Sequence, residues 1–202
     1  GRRYGIAHKA LIHIGKVLSD QGSGVDSGIL AGIDWAIRNK CAVISMSLGA
    51  NAPATTVAYE TVGQRALNAG TLIVAAAGNN ANRSAGNFGF VGRPANSRSF
   101  MSVAAVDASL RVANFSARDT TQQAGTAVDI AGPGVAVYSS WPMPARYNTI
   151  SGTSMATPHV AGIAALWAEA TGARGAALWQ RLIVNARVLG APVVDVGRGL
   201  VQ

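Results

Sequence analysis

Five short apolar runs, at 10–18, 42–48, 71–77, 101–106 and 126–131, recur along the chain without the polar alternation of a half-solvated strand. Runs of this length read as strands buried on both faces. Between and after them the period lengthens. Ile29, Ile33 and Ile37 stand four apart and predict a helix over 26–38, and a second is expected at about 55–69. Two more close the chain, at 154–171 and about 174–186, the last with Leu178, Leu182 and Ile183 on one side. Gly70 and Gly172 fall where helix C-caps belong. Alternation of this kind predicts an α/β fold, a doubly wound and mostly parallel sheet with helices on both faces. The stretch 80–99, rich in Asn, Arg, Gly and Ser, reads as a long loop and a candidate wall of a substrate site. With no internal repeat, linker or low-complexity block, residues 1–202 read as one domain.

Composition narrows the function classes. Apolar residues make up 49% of the chain, yet no uninterrupted run approaches a membrane span, so no membrane partner is expected. The net charge of +8 comes from 14 arginines and three lysines against nine acids. Basicity of that size favours phosphate, but the arginines are scattered singly, with only Arg2 and Arg3 adjacent. No nucleic-acid-binding motif accompanies them, which argues against that role. The single Cys41 excludes an internal disulfide and is expected to be buried beside a core strand. No acidic cluster suited to calcium and no metal-ligand spacing is present, so neither metal nor cofactor is expected.

The most informative segment is Tyr147-Asn148-Thr149-Ile150-Ser151-Gly152-Thr153-Ser154-Met155-Ala156-Thr157-Pro158-His159-Val160-Ala161-Gly162. It sets Ser154 between small residues where a polar turn becomes an Ala-rich helix. At a helix N-terminus the unpaired N–H groups and the dipole favour developing negative charge. Thr157-Pro158 is expected in the first helical turn, where a missing N–H costs nothing. This run closely resembles the nucleophile segment of the subtilisin-like serine proteases. Further segments resemble the same family in family order: Lys16-Val17-Leu18, Gly22-Ser23-Gly24, Gly32-Ile33-Asp34-Trp35, Val43-Ile44-Ser45-Met46-Ser47-Leu48-Gly49, Val74-Ala75-Ala76-Ala77-Gly78-Asn79, Arg93-Pro94, and Gly197-Arg198-Gly199-Leu200.

The resemblance implies a serine endopeptidase acting on peptide or protein substrates. Ser154 would be the nucleophile, with its own N–H and the Asn79 side-chain amide as oxyanion donors. Ser23, Gly24, Ser47, Leu48 and Gly49 would present backbone edges to an extended substrate. Ala76, Ala77, Gly78 and Gly92 would line a specificity pocket roomy enough for a large apolar side chain. The family favours a secreted or extracellular setting, and a cis bond at Pro94.

The catalytic Asp and His expected by the same resemblance do not occur in family order, because the chain resembles the family only from beyond the histidine helix. Roughly a quarter of a full domain is then expected outside the N-terminal side, and a complementing segment carrying Asp and His is an expected partner. An unpaired sheet edge and marginal stability of the chain alone follow from this. Asp26-Ser27-Gly28 mimics the family's aspartate signature, but it precedes a helix and Asp26 reads as an N-cap. His8 and His13 read as edge or surface residues. His159 lies five positions past Ser154, about 140° around a helix, and is out of reach of its hydroxyl. Without a base the chain would be a non-catalytic peptide-binding or structural fragment. Gly22-x-Gly24-x-x-x-Gly28 has one residue too many for dinucleotide binding. Gly152-x-Ser154-x-Ala156 lacks the downstream acid and histidine of an α/β-hydrolase.

Overall fold

The computed structural model describes residues 5–120 and 127–202. Four strands, β1 (Val43–Met46), β2 (Leu72–Ala76), β3 (Met101–Val106) and β4 (Ile130–Pro133), form one sheet in the order β1-β2-β3-β4. All three pairings are parallel, with Val43 opposite Leu72, Val74 opposite Met101 and Val103 opposite Ile130. Side chains alternate across the sheet, so each face acquires its own core. Ile73, Ala75, Ala104 and Val106 meet helices α1 (Asp26–Arg38) and α2 (Val57–Asn68) on one side. Leu72, Val74, Met101, Val103 and Ile130 meet α3 (Thr153–Thr171) and α4 (Gly175–Val184) on the other. β2 and β3 are buried along their whole length. At about 1.5–3 kcal/mol per large apolar side chain removed from water, this two-sided burial is the main drive for the fold.

Local signals account for the helix ends. The Thr56 hydroxyl accepts the Tyr59 N–H at the start of α2. Gly172 caps α3 at φ +70, and Gly70, one residue past the cap of α2, takes φ +84, left-handed conformations that favour glycine. A four-residue helix, α5 (Val193–Val196), follows α4 near the C-terminus. The loop 80–99 contains one short 3₁₀ turn at Arg83–Ala85, and the Arg93–Pro94 peptide is cis, as is Met143–Pro144.

Three expectations are corrected. The run 10–18 forms no strand: Leu11, Ile12 and Ile14 are each about four-fifths exposed, and the segment has no ladder partner among the described residues. An apolar run becomes a strand only where a neighbour supplies its hydrogen bonds. Here a groove of about 1160 Å³ opens between that segment, α1, α3 and β1. The strand expected at 126–131 begins only at Ile130, and residue 126 lies outside the described residues. Cys41 is half-buried rather than buried, its thiol pushed up by desolvation. One element was not foreseen. β5 (Val137–Ser140) and β6 (Tyr147–Ile150) form a separate antiparallel hairpin with both faces largely exposed and Tyr138 stacked on Tyr147 at 5.5 Å.

The two sheet edges differ. The outer edge of β4 is closed by the C-terminal segment, where Ala131 exchanges hydrogen bonds with Gly199 and Val201. Among the described residues β1 pairs only with β2. The C-terminal side is further pinned by Asp195, 2% exposed, which binds Arg83 Nη1 at 2.7 Å and Arg118 through both carboxylate oxygens. The Arg118 guanidinium lies 3.8 Å from the centre of the Phe88 ring.

Two carboxylates have opposite linkage to pH. Burial raises Asp129 to about 7, against the lowering effect of the Ser102 N–H and with repulsion from Asp119. Burial also opposes ionisation of Asp195, but hydrogen bonds from Arg118 and Arg83 outweigh it and hold the carboxyl below its usual range. The Asp129 contribution is therefore full below about pH 4 and is lost as pH rises to about 7. The Asp195 contribution is present above about pH 4 and is lost below it. Urea midpoints across pH 4–7 should fall with rising pH in the parent chain and flatten in Asp129→Asn. Because burial also raises Asp119, a decline as steep in Asp129→Asn as in the parent chain contradicts the assignment.

Candidate active site

Helix α3 begins at Gly152 with no side chain of its own to cap it. The cap comes from a distant strand end. Asn79, three residues beyond β2, accepts both the Thr153 N–H and the Thr153 hydroxyl on its Oδ1, each at 2.9 Å. The Thr153 hydroxyl oxygen in turn accepts the Gly78 N–H at 3.2 Å. Gly78 lies at φ +124, so this turn favours glycine. With Oδ1 occupied on one side, Nδ2 of Asn79 points away from Thr153 and makes no hydrogen bond among the described residues. The Ser154 backbone N–H, in the first turn of α3, makes none either.

Pro158 corrects one expectation. Because α3 starts at Thr153, Pro158 falls inside the helix rather than in its first turn. Its missing N–H leaves the Ser154 carbonyl, four residues back, without a helical donor. The Ser47 hydroxyl fills that place, donating to Ser154 O at 2.7 Å. The Ser154 hydroxyl reaches back toward the Ser47 carbonyl at 3.4 Å. The segment 47–49 is thus tied to the serine turn by a reciprocal pair.

All eleven residues singled out in the sequence line a single cleft of about 540 Å³. Gly92 forms part of its wall, where a Cβ would stand 2.4 Å from the Ala50 carbonyl, so only glycine fits. The sequence did not disclose three other members. Thr153 orients Asn79, and Tyr59 and Arg93 line the cleft beside Asp26. Asp26 itself is the first residue of α1, not its N-cap, which is Val25. Its carboxylate goes to the Tyr59 hydroxyl at 3.0 Å and to Arg93 Nη1 at 2.9 Å instead of to backbone N–H groups.

The histidines lie apart from this arrangement. His159 Nδ1 hydrogen-bonds the Met155 carbonyl of its own helix at 2.7 Å. His13 is exposed, its ring 6.1 Å from Trp35, and His8 is exposed. Among the described residues no three His, Cys, Asp or Glu side chains gather in a way that would hold a metal ion, and no helix is long and apolar enough to cross a membrane.

A sequence model of the Subtilase family matches residues 3–199. The chain belongs to the subtilase family. It is 44% identical over 162 residues to subtilisin E of Bacillus subtilis (strain 168), covering 80% of this chain and 40% of that protein. It is 40% identical over 199 residues to a thermostable alkaline protease of Halalkalibacterium halodurans, covering 98% of this chain and 51% of the relative. The solved structure of Sphericase superposes with a TM-score of 0.79 at 34% identity, over 92% of this chain and 66% of that one. This subtilase chain thus spans only about two-fifths to one-half of the length of those two relatives, and it shares with Sphericase an α/β fold built on a parallel sheet.

The geometry makes Thr153 the residue that orients Asn79. Thr153→Val should cost about 2–3 kcal/mol of stability, because the buried hydroxyl both donates to Asn79 and accepts the Gly78 N–H. In amide NMR spectra the Asn79 side-chain NH₂ pair should shift and broaden. An unchanged pair would show that Thr153 does not hold it.

Proposed function

We propose that this chain carries the nucleophile and oxyanion half of a serine endopeptidase site. The observation that carries the reading is the Thr153–Asn79 arrangement. It leaves two donors unengaged among the described residues, Asn79 Nδ2 and the Ser154 N–H, on the cleft that holds the Ser154 hydroxyl. Ser154 Oγ attacks the substrate carbonyl, and the oxygen that becomes negative is met by these donors. Collapse of the tetrahedral species expels the amine and leaves an acyl-enzyme on Ser154, which water then hydrolyses. The small residues Ala76, Ala77 and Gly78 leave space for a large apolar side chain on the cleaved residue. An extracellular site of action belongs to the same reading.

The proton of Ser154 needs a base, and in this reading an Asp–His pair comes from a segment outside this sequence. The unpaired edge of β1 and the apolar groove beside it are where added strands would dock. A second reading, a peptide-binding fragment without catalysis, is favoured by one contact. The Ser154 hydroxyl faces the Ser47 carbonyl, not an imidazole. In that state only oxyanion stabilisation and binding remain, worth roughly 10³–10⁴ over water in subtilisin-type sites.

A fluorophosphonate probe separates the two. Labelling of Ser154, absent in Ser154→Ala, should be slow for the chain alone and rise steeply when the segment bearing Asp and His is supplied. In the complemented protein Asn79→Ala should lower kcat by about 10²–10³, the size known for the equivalent donor in subtilisin itself. Labelling that stays at background after complementation, in a folded sample, would establish the non-catalytic reading.

A further inference from the structure

Asp26 is left unexplained by the chemistry at Ser154, yet it lines the same cleft. It stands two residues past the Gly22-Ser23-Gly24 loop, whereas Arg93 stands next to Gly92 on the opposite wall, where its carbonyl accepts the Ala50 N–H at 2.8 Å. Their ion pair joins the two segments between which an extended peptide would lie. The pair is not symmetric toward solvent. The Asp26 side chain is 56% exposed against 25% for Arg93. Arg93 Nε is sealed from solvent and makes no hydrogen bond among the described residues, so that nitrogen is closed to a ligand in the cleft. The carboxylate, by contrast, accepts one hydrogen bond on each oxygen and has lone pairs to spare. Its place in the first turn of α1 sets the carboxylate at the positive end of the helix dipole. The side chains of Ile29 and Leu48 line the same cleft.

We propose that this corner is a subsite for a basic side chain of the substrate, lysine or arginine, with Asp26 as the residue that selects it. The inference rests on the peptide-cleft reading above. A long aliphatic stem lies against Leu48 and the edge of Ile29, and the cationic head reaches the open face of the carboxylate. A glutamate in that position brings its charge against Asp26, and a short side chain reaches neither surface.

The test is equilibrium binding to the full Ser154→Ala chain, which requires no turnover. A single Lys or Glu is scanned through fluorescein-labelled, alanine-based hexapeptides ending in Phe, and affinity is read by anisotropy. At one position Lys should bind about five-fold more tightly than Glu, the size of a partly exposed charge pair. Asp26→Asn, which keeps an oxygen for the Tyr59 hydroxyl, should bring that ratio to about one and leave the other positions unchanged. Arg93→Gln should widen it. Equal binding of Lys and Glu peptides at every position, or a preference that survives Asp26→Asn, overturns the proposal. Failure of every peptide to bind overturns the cleft reading with it. Fluorophosphonate labelling of the unsubstituted chain reports on Ser154 separately from both.

Discussion

Helix α3 lies so close to the sheet that the strands beneath it have no room for side chains at two places. A Cβ on Gly132 would stand 2.9 Å from the Ala156 carbonyl, and one on Gly134 2.6 Å from the Ala105 Cβ and 2.8 Å from the Gly152 carbonyl. The helix answers with small residues of its own, Ala156, Ala161, Ala164 and Ala168, all buried. This close packing is the constraint from which the site follows. It brings the N-terminus of α3 over the carboxyl ends of the parallel strands, where Asn79 leaves β2, so that one amide oxygen both caps the helix and fixes its own nitrogen. α3 touches all four strands, and a shift of the helix would therefore move the serine turn relative to every loop that lines the cleft.

A second consequence flows from Pro158. A helix interior is a costly place for proline, and the usual loss is an unsatisfied carbonyl one turn back. Here that carbonyl belongs to Ser154, and a hydroxyl from another strand end takes it. The defect in the helix is what couples the serine turn to the segment that follows β1. The ion pairs of Asp195 act at the far side of the loop system. They tie Arg83 and Arg118, from the loops after β2 and β3, to α5 near the C-terminus. A buried charge of this kind is held by its partners, and removing one of them is more damaging than replacing the set with apolar groups.

What could be read from the chain depended on whether the signal was local. The spacing of Ile29, Ile33 and Ile37 marked α1 with its observed limits, and the run 101–106 coincided with β3 because both of its faces meet apolar neighbours. The run 10–18 had the same apolar character but lacked a strand beside it, a fact no local pattern records. The hairpin β5–β6 was invisible for the opposite reason: with neither face in a core, it has no hydrophobic alternation to betray it. The cleft residues were legible through the resemblance of their motifs to the subtilisin-like family, and the fold brings them to one cleft. Their partners were not. The Asp26–Arg93 pair spans 67 positions and the Arg118–Asp195 pair 77, and only the tertiary fold brings such residues together.

The β5–β6 hairpin stands largely outside the packed body of the fold. At the turn that leads into α3 it is held by the Ser151 hydroxyl, which accepts the Ala136 N–H, and by the Gly152 N–H, which donates to the Gly134 carbonyl. Its Tyr138–Tyr147 stack is internal, and none of its residues belongs to either core cluster. Its length and sequence can therefore drift with little penalty to the folded state. Yet it stands four residues from the serine in the chain. Descendants of this fold have in that ribbon a place to try new surface contacts beside an unaltered chemical centre.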